Sequence, residues 1–173
     1  MTVLAIALLA GCRGATSTDL EVEVRNVGFD PRTGSPVVVL QTRDGARLLP
    51  IWIGTAEAQA IAMEMQRVTP PRPMTHDLVK RILDTTGIAL QRVRISALKE
   101  QTFFATLVFD RGGHEVEVDG RPSDAIALAL RAACPILVNP ALLQAASAPL
   151  SGTPAREAHR LPVGDGPLTQ ARG

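Results

Sequence analysis

The pattern of polar and apolar residues along the chain predicts strands and helices that alternate within one domain. Strict alternation indicates a half-buried strand, and apolar residues three and four positions apart indicate a helix. Strands are predicted over residues 20–26, 37–42, 47–53, 90–98, 102–109, 114–119 and 135–138. Helices are predicted over residues 55–68, 76–86, 123–132 and 140–146, with Thr55, Thr75, Ser123 and Asn139 as their N-caps.

The order of these elements predicts an α+β fold. Short turns join the three strands between residues 90 and 119, so these strands are expected to form an antiparallel meander. Pro50 cannot donate to a sheet ladder, which places its strand at an edge or at a bulge. In the second helix, Leu78, Ile82 and Leu83 are expected to face inward. The predicted architecture has two layers, a mixed, mostly antiparallel sheet packed with three to four helices.

Composition and charge narrow the classes of function. The chain has 173 residues, enough for one domain with a sizeable core. Its net charge is +1, so contact with nucleic acid would need a local basic patch. Aromatic residues make up only 3%, which argues against a surface that stacks the bases of single strands. The candidates for a basic patch, for which the interpretation as ordinary solvated faces is preferred, are Arg67, Arg72, Lys80, Arg81, Arg92 and Arg94.

The N-terminal segment is typical of an exported lipoprotein. Its short apolar run ends in Leu-Ala-Gly-Cys, which is similar to a bacterial lipobox in which Cys12 becomes lipidated. The run is too short to span a bilayer as a helix. This interpretation predicts a protein of the cell envelope that is held on a membrane by a lipid anchor. The alternative is an apolar segment that is not a signal and is not cleaved, which predicts a cytoplasmic protein. The expected organisation is a signal-like segment at 1–12, a tether at 13–18, a domain at 19–146 and a disordered tail at 147–173.

The stretch from Asp119 to Ala125 is the strongest candidate for a functional site. It places Asp119, Arg121, Ser123 and Asp124 in the turn between a strand and an almost wholly apolar helix. Free N–H groups at a helix N-terminus favour anions. A purely structural interpretation is equally open, in which Ser123 caps the helix, Asp124 suits its dipole and Arg121 pairs with a carboxylate.

A second candidate cluster, His76 and Asp77, opens the preceding helix. His76 is a candidate general base because an imidazole exchanges protons near neutral pH. Asp77 is either a further ligand or a first-turn residue favoured by the helix dipole. Glu57 allows the same two interpretations, of which the structural one is preferred. Cys134, the only cysteine besides Cys12, is expected to be a small buried hydrophobe.

Several segments, in order along the chain, carry a resemblance to a known family. They are LPIWIG at 49–54, Glu57 with the helix that follows it, PRPMTHDL at 71–78, TFFA at 102–105 and DGRPSDAIALA at 119–129. Together they resemble the bifunctional nuclease domain family, also called domain of unknown function 151, over residues 20 to 146. Gly120 departs from the family pattern, in which a small residue with a side chain is usual.

The resemblance implies an α+β fold that is often dimeric, and nuclease activity on DNA and RNA. It supplies no catalytic residues, so their roles are inferred from phosphodiester hydrolysis, which needs an activated water and charge neutralisation. Asp119 and Asp124 are the candidate ligands of a divalent metal, Mg²⁺ or Mn²⁺, because the turn is expected to fold both toward one point. Arg121 and Ser123 are the candidates for binding phosphate. The candidate catalytic residues are Asp119, Asp124, His76 and Asp77.

Two functions follow from this reasoning. The first is a metal-dependent nuclease, a hydrolase acting on ester bonds in DNA or RNA. The alternative is a non-catalytic binding or dimerisation domain of an envelope lipoprotein, which the near-neutral charge and the few aromatic residues favour. Convergence of the polar residues in an open basic cleft would favour the enzyme. Burial of Arg121 and Asp124 in mutual hydrogen bonds would favour the alternative, because buried charges are normally paired.

Overall fold

A seven-stranded mixed sheet, against which four helices pack, makes up the part of the chain that the structure describes. The structure is a computed structural model and describes residues 19–146. The strands are β1 Leu20–Phe29, β2 Pro36–Thr42, β3 Leu48–Trp52, β4 Ile88–Lys99, β5 Thr102–Arg111, β6 His114–Gly120 and β7 Ile136–Val138. The helices are α1 Thr55–Met65, α2 Thr75–Thr86, α3 Pro122–Ala132 and α4 Pro140–Ala146. The predicted signal-like segment with Cys12, the tether and the tail lie outside the described residues.

The strands run in the order β3-β2-β1-β7-β4-β5-β6 across the sheet. All neighbours pair antiparallel except β7 and β4, which are parallel. The predicted α+β class and the meander β4-β5-β6 are therefore confirmed. Pro50 lies in β3 at one edge of the sheet, as its missing N–H predicts. Within residues 19–146 no helix is both long and apolar enough to cross a membrane.

One core joins the sheet to the helices. Residues of α1, α3 and α4 belong to the same cluster of buried side chains as residues of the sheet. Helix α3 lies at its centre, with every residue from Ala125 to Ala129 buried. Small side chains alternate with larger ones in this stretch, so the helix can approach the sheet closely on one face and helices α1 and α2 on its flanks. The first turn of α3, with its charged residues, is thereby held in a fixed position.

Three predicted helix caps are wrong. Helices α1, α2 and α3 are capped by Gly54, Met74 and Arg121, where Thr55, Thr75 and Ser123 were expected. In α3 the reason is Pro122, whose fixed φ and missing N–H suit the first helical position, so the helix begins before Ser123. The cap at Asn139 is confirmed, because its side-chain oxygen accepts a hydrogen bond from the N–H of Ala141 at 3.0 Å.

Helix α2 packs differently from the prediction. Leu78 and Ile82 are 53% and 52% exposed, whereas His76 is buried and Val79 packs against the core. The apolar residues of α2 do lie on one face of the helix. However, the polar first turn of α2 packs against α3, and part of the apolar face is exposed to solvent. Helix α1 ends at Met65, three residues before the predicted boundary at Val68.

Candidate functional site

Four charged or titratable side chains meet at the beginnings of helices α1, α2 and α3. His76 Nε2 lies 3.0 Å from Asp124 Oδ1. Arg121 donates two hydrogen bonds to the same carboxylate, from Nε to Oδ2 at 2.6 Å and from Nη2 to Oδ1 at 3.1 Å. The same Nη2 also lies 2.7 Å from Glu57 Oε1. We call His76, Asp124, Arg121 and Glu57 the polar cluster.

The cluster depends on where each helix begins. Gly54 and Arg121 have extended backbone and are the N-caps of α1 and α3. With the helices beginning at these residues, Arg121 lies beside Glu57 in the first turn of α1. The carboxylate of Glu57 folds back over Gly54, where an added Cβ would come within 2.2 Å of Oε2. Gly54 therefore leaves the space that Glu57 occupies beside Arg121.

The hydrogen bonds of the polar cluster fix the charge of Asp124. Burial favours the neutral carboxyl, but hydrogen bonds from Arg121 and His76 outweigh it and hold the pKa of Asp124 below its ordinary value. Asp124 is thus an anion at neutral pH and accepts from His76 Nε2–H. In the neutral imidazole the other ring nitrogen, Nδ1, then carries the lone pair. His76 in this tautomer can take up a proton at Nδ1.

Arg121 combines exposure with unused donors. Its side chain is 67% exposed, although Asp124 and Glu57 occupy Nε and Nη2. Within residues 19–146, neither N–H of Nη1 makes a hydrogen bond, and a guanidinium has five N–H groups in all. Arg121 can therefore bind an anion from solvent while it stays anchored to the cluster.

A second set of contacts starts from Asp77, the residue that follows His76 in α2. Arg131 Nε donates to Asp77 Oδ1 at 2.6 Å, while Nη1 and Nη2 donate to the carbonyls of Ala127 and Ala60 at 3.0 and 3.2 Å. The side chain of Arg131 is only 7% exposed. Asp77 also accepts a hydrogen bond from the N–H of Met74 at 2.9 Å, which closes the start of α2. Arg131 thus joins α1, α2 and α3 around one buried guanidinium.

Sequence reasoning did not single out Arg131. A signal was present, because Asp124 and Arg131 are the only charged residues of α3 and lie seven positions apart, on one face of a helix. The adjacent pair His76 and Asp77 meets that face at two points. Glu57, for which the structural interpretation was preferred, belongs to the polar cluster through Arg121.

Asp119 does not join Asp124. Gly120 pairs with Ala105 of β5, and a Cβ at Gly120 would lie 2.8 Å from the buried Leu107 Cδ1, so Gly120 faces the helices. Neighbouring residues of a strand point to opposite faces, and Asp119 therefore points away from the helix layer. The register of β6 therefore directs Asp119 away from Asp124, and the role of the two carboxylates as a pair of metal ligands stays a prediction.

Two further predictions concern ligands. Ser123 is 6% exposed inside the first turn of α3, so its hydroxyl is not presented to a substrate. Among residues 19–146, no three His, Cys, Asp or Glu side chains are placed to hold one metal ion. In the polar cluster the position between the carboxylates is taken by the guanidinium of Arg121, whose single positive charge offsets one of their two negative charges.

Comparisons with known proteins identify the class to which this α+β domain belongs. Residues 38–151 match the family model of the bifunctional nuclease domain. An uncharacterised protein of Mycobacterium tuberculosis is 47% identical over 123 residues, which cover 71% of this chain and 73% of that protein. Bifunctional nucleases 1 and 2 of Arabidopsis thaliana are each 34% identical, over 108 and 106 residues. The match spans about a third of each plant protein, 33% and 32% of their lengths.

The chain belongs to the bifunctional nuclease domain family. The resemblance drawn from the sequence motifs is therefore confirmed. The matched region includes both Asp77 and Arg131 and all four residues of the polar cluster.

Proposed function

We propose that this protein hydrolyses phosphodiester bonds of DNA or RNA at the polar cluster. The observation that carries the proposal is the pairing of His76 with Asp124 beside an exposed Arg121 that keeps two N–H groups unused. Attack of water on a phosphodiester requires a base that takes the proton of the water and a cation that binds the phosphate. His76 and Arg121 can fill these two roles, and both contact the carboxylate of Asp124. The family membership and the printed names of the plant relatives support the same activity.

Each residue has a definable role in this proposal. Arg121 binds a non-bridging phosphate oxygen through Nη1 and offsets the charge that builds up on the phosphate. His76 Nδ1 takes a proton from the attacking water, whose oxygen forms the new P–O bond. The bond to the leaving oxygen breaks, and that oxygen gains a proton from solvent. Asp124 orients the imidazole and stabilises its protonated form, and Glu57 holds Arg121 in place.

A requirement for Mg²⁺ or Mn²⁺ stays a prediction. Asp119 points away from the helix layer that carries Asp124, so no catalytic step is assigned to a metal here. A chelator decides the question directly, because a metal-dependent enzyme loses its activity when the chelator is added.

The test is cleavage of supercoiled plasmid and of single-stranded RNA by the full chain, with Mg²⁺, with Mn²⁺ and with chelator. The variants are His76→Gln and Arg121→Gln. His114→Gln is the matched control, because His114 is an exposed histidine at the start of the edge strand β6. We expect both cluster variants to lose about 100-fold in rate while His114→Gln keeps it.

The contrary results are equally clear. If all variants cleave as fast as wild type, the active site does not lie at the polar cluster. Absence of cutting by the folded wild-type chain under every condition would favour the alternative, a non-catalytic domain whose polar cluster holds a ligand or a second copy. Sedimentation of the same samples measures whether the chain forms the predicted homo-oligomer.

We also propose that the protein is held in the cell envelope by a lipid on Cys12. The support is the lipobox-like sequence that ends at this residue. Metabolic labelling with a radioactive fatty acid, compared between wild type and Cys12→Ser, tests it. Label on the wild-type chain alone is the expected result, and an unlabelled wild-type chain recovered in the cytoplasm would overturn the proposal.

A further inference from the structure

A cleft lies beside the polar cluster, and none of the four residues of the cluster lines it. It has a volume of about 300 Å³ and lies between the end of α1, the loop at residues 66–73 and the first turns of α2. Its walls carry the charged side chains of Glu64, Asp77, Lys80, Arg81 and Arg131. A volume of this size suits a ligand of about one nucleotide unit.

The charged side chains that line the cleft are three cations and two carboxylates, and within the described residues Arg81 is the cation among them without an ion-pair partner. Arg131 is neutralised by Asp77 at 2.6 Å and approaches Glu64 at 3.9 Å. Lys80 pairs with Asp84, one turn further along α2. Arg81 is exposed and, among residues 19–146, makes no ion pair or side-chain hydrogen bond. An exposed guanidinium with all its donors unused is suited to bind phosphate in a bidentate manner.

The loop that forms one wall adds to this positive charge. It carries two more exposed arginines, Arg67 and Arg72, which likewise make no ion pair within the described chain. Three prolines of the same loop, at positions 70, 71 and 73, restrict the backbone and line the cleft. A wall that is already ordered loses little entropy when a ligand binds.

The cleft adjoins the polar cluster at the first turn of α2. Asp77 forms part of its wall, and the preceding residue, His76, belongs to the cluster. Both residues lie in the first turn of the same helix, which is fixed by Arg131. A strand that placed one phosphate at Arg121 could therefore place a neighbouring phosphate in the cleft.

We infer that this cleft binds the backbone of a single-stranded polynucleotide on one side of the bond that is cut, with Arg81 as the principal phosphate ligand. The inference rests on the proposed function and names the binding path of its substrate. A single strand fits better than a duplex because a cleft of about 300 Å³ has room for one nucleotide unit and not for a paired helix. Recognition is through the backbone, since no aromatic side chain among residues 19–146 lines the cleft to stack on a base.

The experiment measures binding separately from cleavage. A short fluorescein-labelled oligothymidylate is titrated with the full chain at several salt concentrations, and a gel checks that the strand stays intact. The variants are Arg81→Ala and Arg81→Lys. Arg111→Ala is the matched control, because Arg111 is also exposed and unpaired within the described chain but lies at the far end of β5.

We expect Arg81→Ala to weaken binding about fivefold and to lower the slope of log K against log salt by about 0.7, the value for one contact with a single strand. Arg81→Lys should restore the salt slope, and Arg111→Ala should bind as wild type does. Unchanged binding by Arg81→Ala, or an equal loss in Arg111→Ala, would overturn the inference. A duplex that competes as well as the single strand would overturn the choice of substrate.

The two proposals can fail separately. If the wild-type chain cleaves nucleic acid but its binding does not depend on Arg81, the cleft is rejected as a binding site. The polar cluster then remains the proposed active site. Binding that depends on Arg81 in a chain that does not cut supports the cleft as a nucleic-acid site and rejects hydrolysis.

Discussion

His76 Nε2 lies 3.0 Å from Asp124 Oδ1, and the next residue of the same helix, Asp77, lies 2.6 Å from Arg131 Nε, one heptad along α3 from Asp124. Two adjacent residues of α2 therefore meet one face of α3 at two points. The first contact reaches solvent through the exposed Arg121, and the second faces the cleft beside α2 around a guanidinium that is only 7% exposed. Together the two contacts fix the position of α2 against α3.

The buried arginine is expected to matter for stability far more than an exposed one. We expect Arg131→Gln to lower the free energy of unfolding by about 2 kcal/mol, because it leaves Asp77 without its partner and two carbonyls without their donor. Arg92→Gln breaks a well-formed pair with Glu115, 2.7 Å apart, but this pair is open to solvent and should contribute little. Urea denaturation of both variants measures the difference. A loss in Arg92→Gln as large as that in Arg131→Gln would contradict this account.

Acid should weaken the fold through Asp77. Burial favours the neutral acid, but hydrogen bonds from Arg131 and the Met74 N–H outweigh it and hold the pKa of Asp77 below its ordinary value. An aspartate in the unfolded chain titrates near 3.9, so between the two pKa values the unfolded state binds more protons and stability rises with pH. The contribution is complete above the unfolded pKa and is lost as the pH falls through the folded pKa.

Replacement of the carboxylate checks this dependence. We expect Asp77→Asn to be less stable than wild type at neutral pH and to lose less stability below about pH 4, so that the two curves converge. Asp119→Asn serves as the control, because Asp119 is exposed and makes no side-chain hydrogen bond within residues 19–146. Urea denaturation across the acid range gives all three curves. Parallel curves for wild type and Asp77→Asn would show that another group controls the acid transition.

Gly54 is expected to act through Glu57. A methyl group at position 54 would occupy the space of the Glu57 carboxylate, which must then swing away from Arg121. Because Arg121 is proposed to bind phosphate, Gly54→Ala should raise KM about tenfold with a smaller change in kcat, as Glu57→Gln should also do. The backbone at Gly54 has φ −75°, which alanine adopts readily, so stability should change by less than about 1 kcal/mol.

A double variant tests whether the two residues act together. If Gly54 matters only by leaving room for Glu57, the variant carrying both Gly54→Ala and Glu57→Gln should resemble either single variant. Losses that add in the double variant would mean that Gly54 has a separate role.

The strands were predictable because their signal is local. Each depends on alternation within a few residues, and every predicted strand corresponds to an observed one to within a few positions. The helix starts were less predictable, since Pro122 competes with Ser123 for the beginning of α3 and backbone geometry decides the outcome. The exposure of Leu78 and Ile82 was not predictable, because helical period identifies an apolar face and not what covers it.

The polar cluster was predictable only in part. The sequence places Arg121 beside Asp124, three positions away on one helix. Their other partners, Glu57 and His76, lie 64 positions before Arg121 and 48 before Asp124, and only the packing of three helices brings them together. The separation of Asp119 from Asp124 depends on the register of β6, which fixes the face that each residue takes.

Cys134 is expected to react slowly with thiol reagents. Its side chain packs against the core, and burial raises the pKa of Cys134 to about 11. The thiolate is the reactive form, so at pH 8 alkylation in the folded chain should be about 100-fold slower than in the urea-unfolded chain. The measurement uses Cys12→Ser, which leaves Cys134 as the only thiol, and follows iodoacetamide addition by mass spectrometry.

The pH profile separates a raised pKa from simple lack of access. With a pKa of about 11, the rate should still climb about tenfold per pH unit from pH 8 to 10, because the thiolate fraction does so. An ordinary thiol levels off above about pH 9. Circular dichroism across the same range checks that the chain stays folded. A slow rate that levels off near pH 9 would mean that the surrounding core hinders the reagent and that the thiol titrates normally.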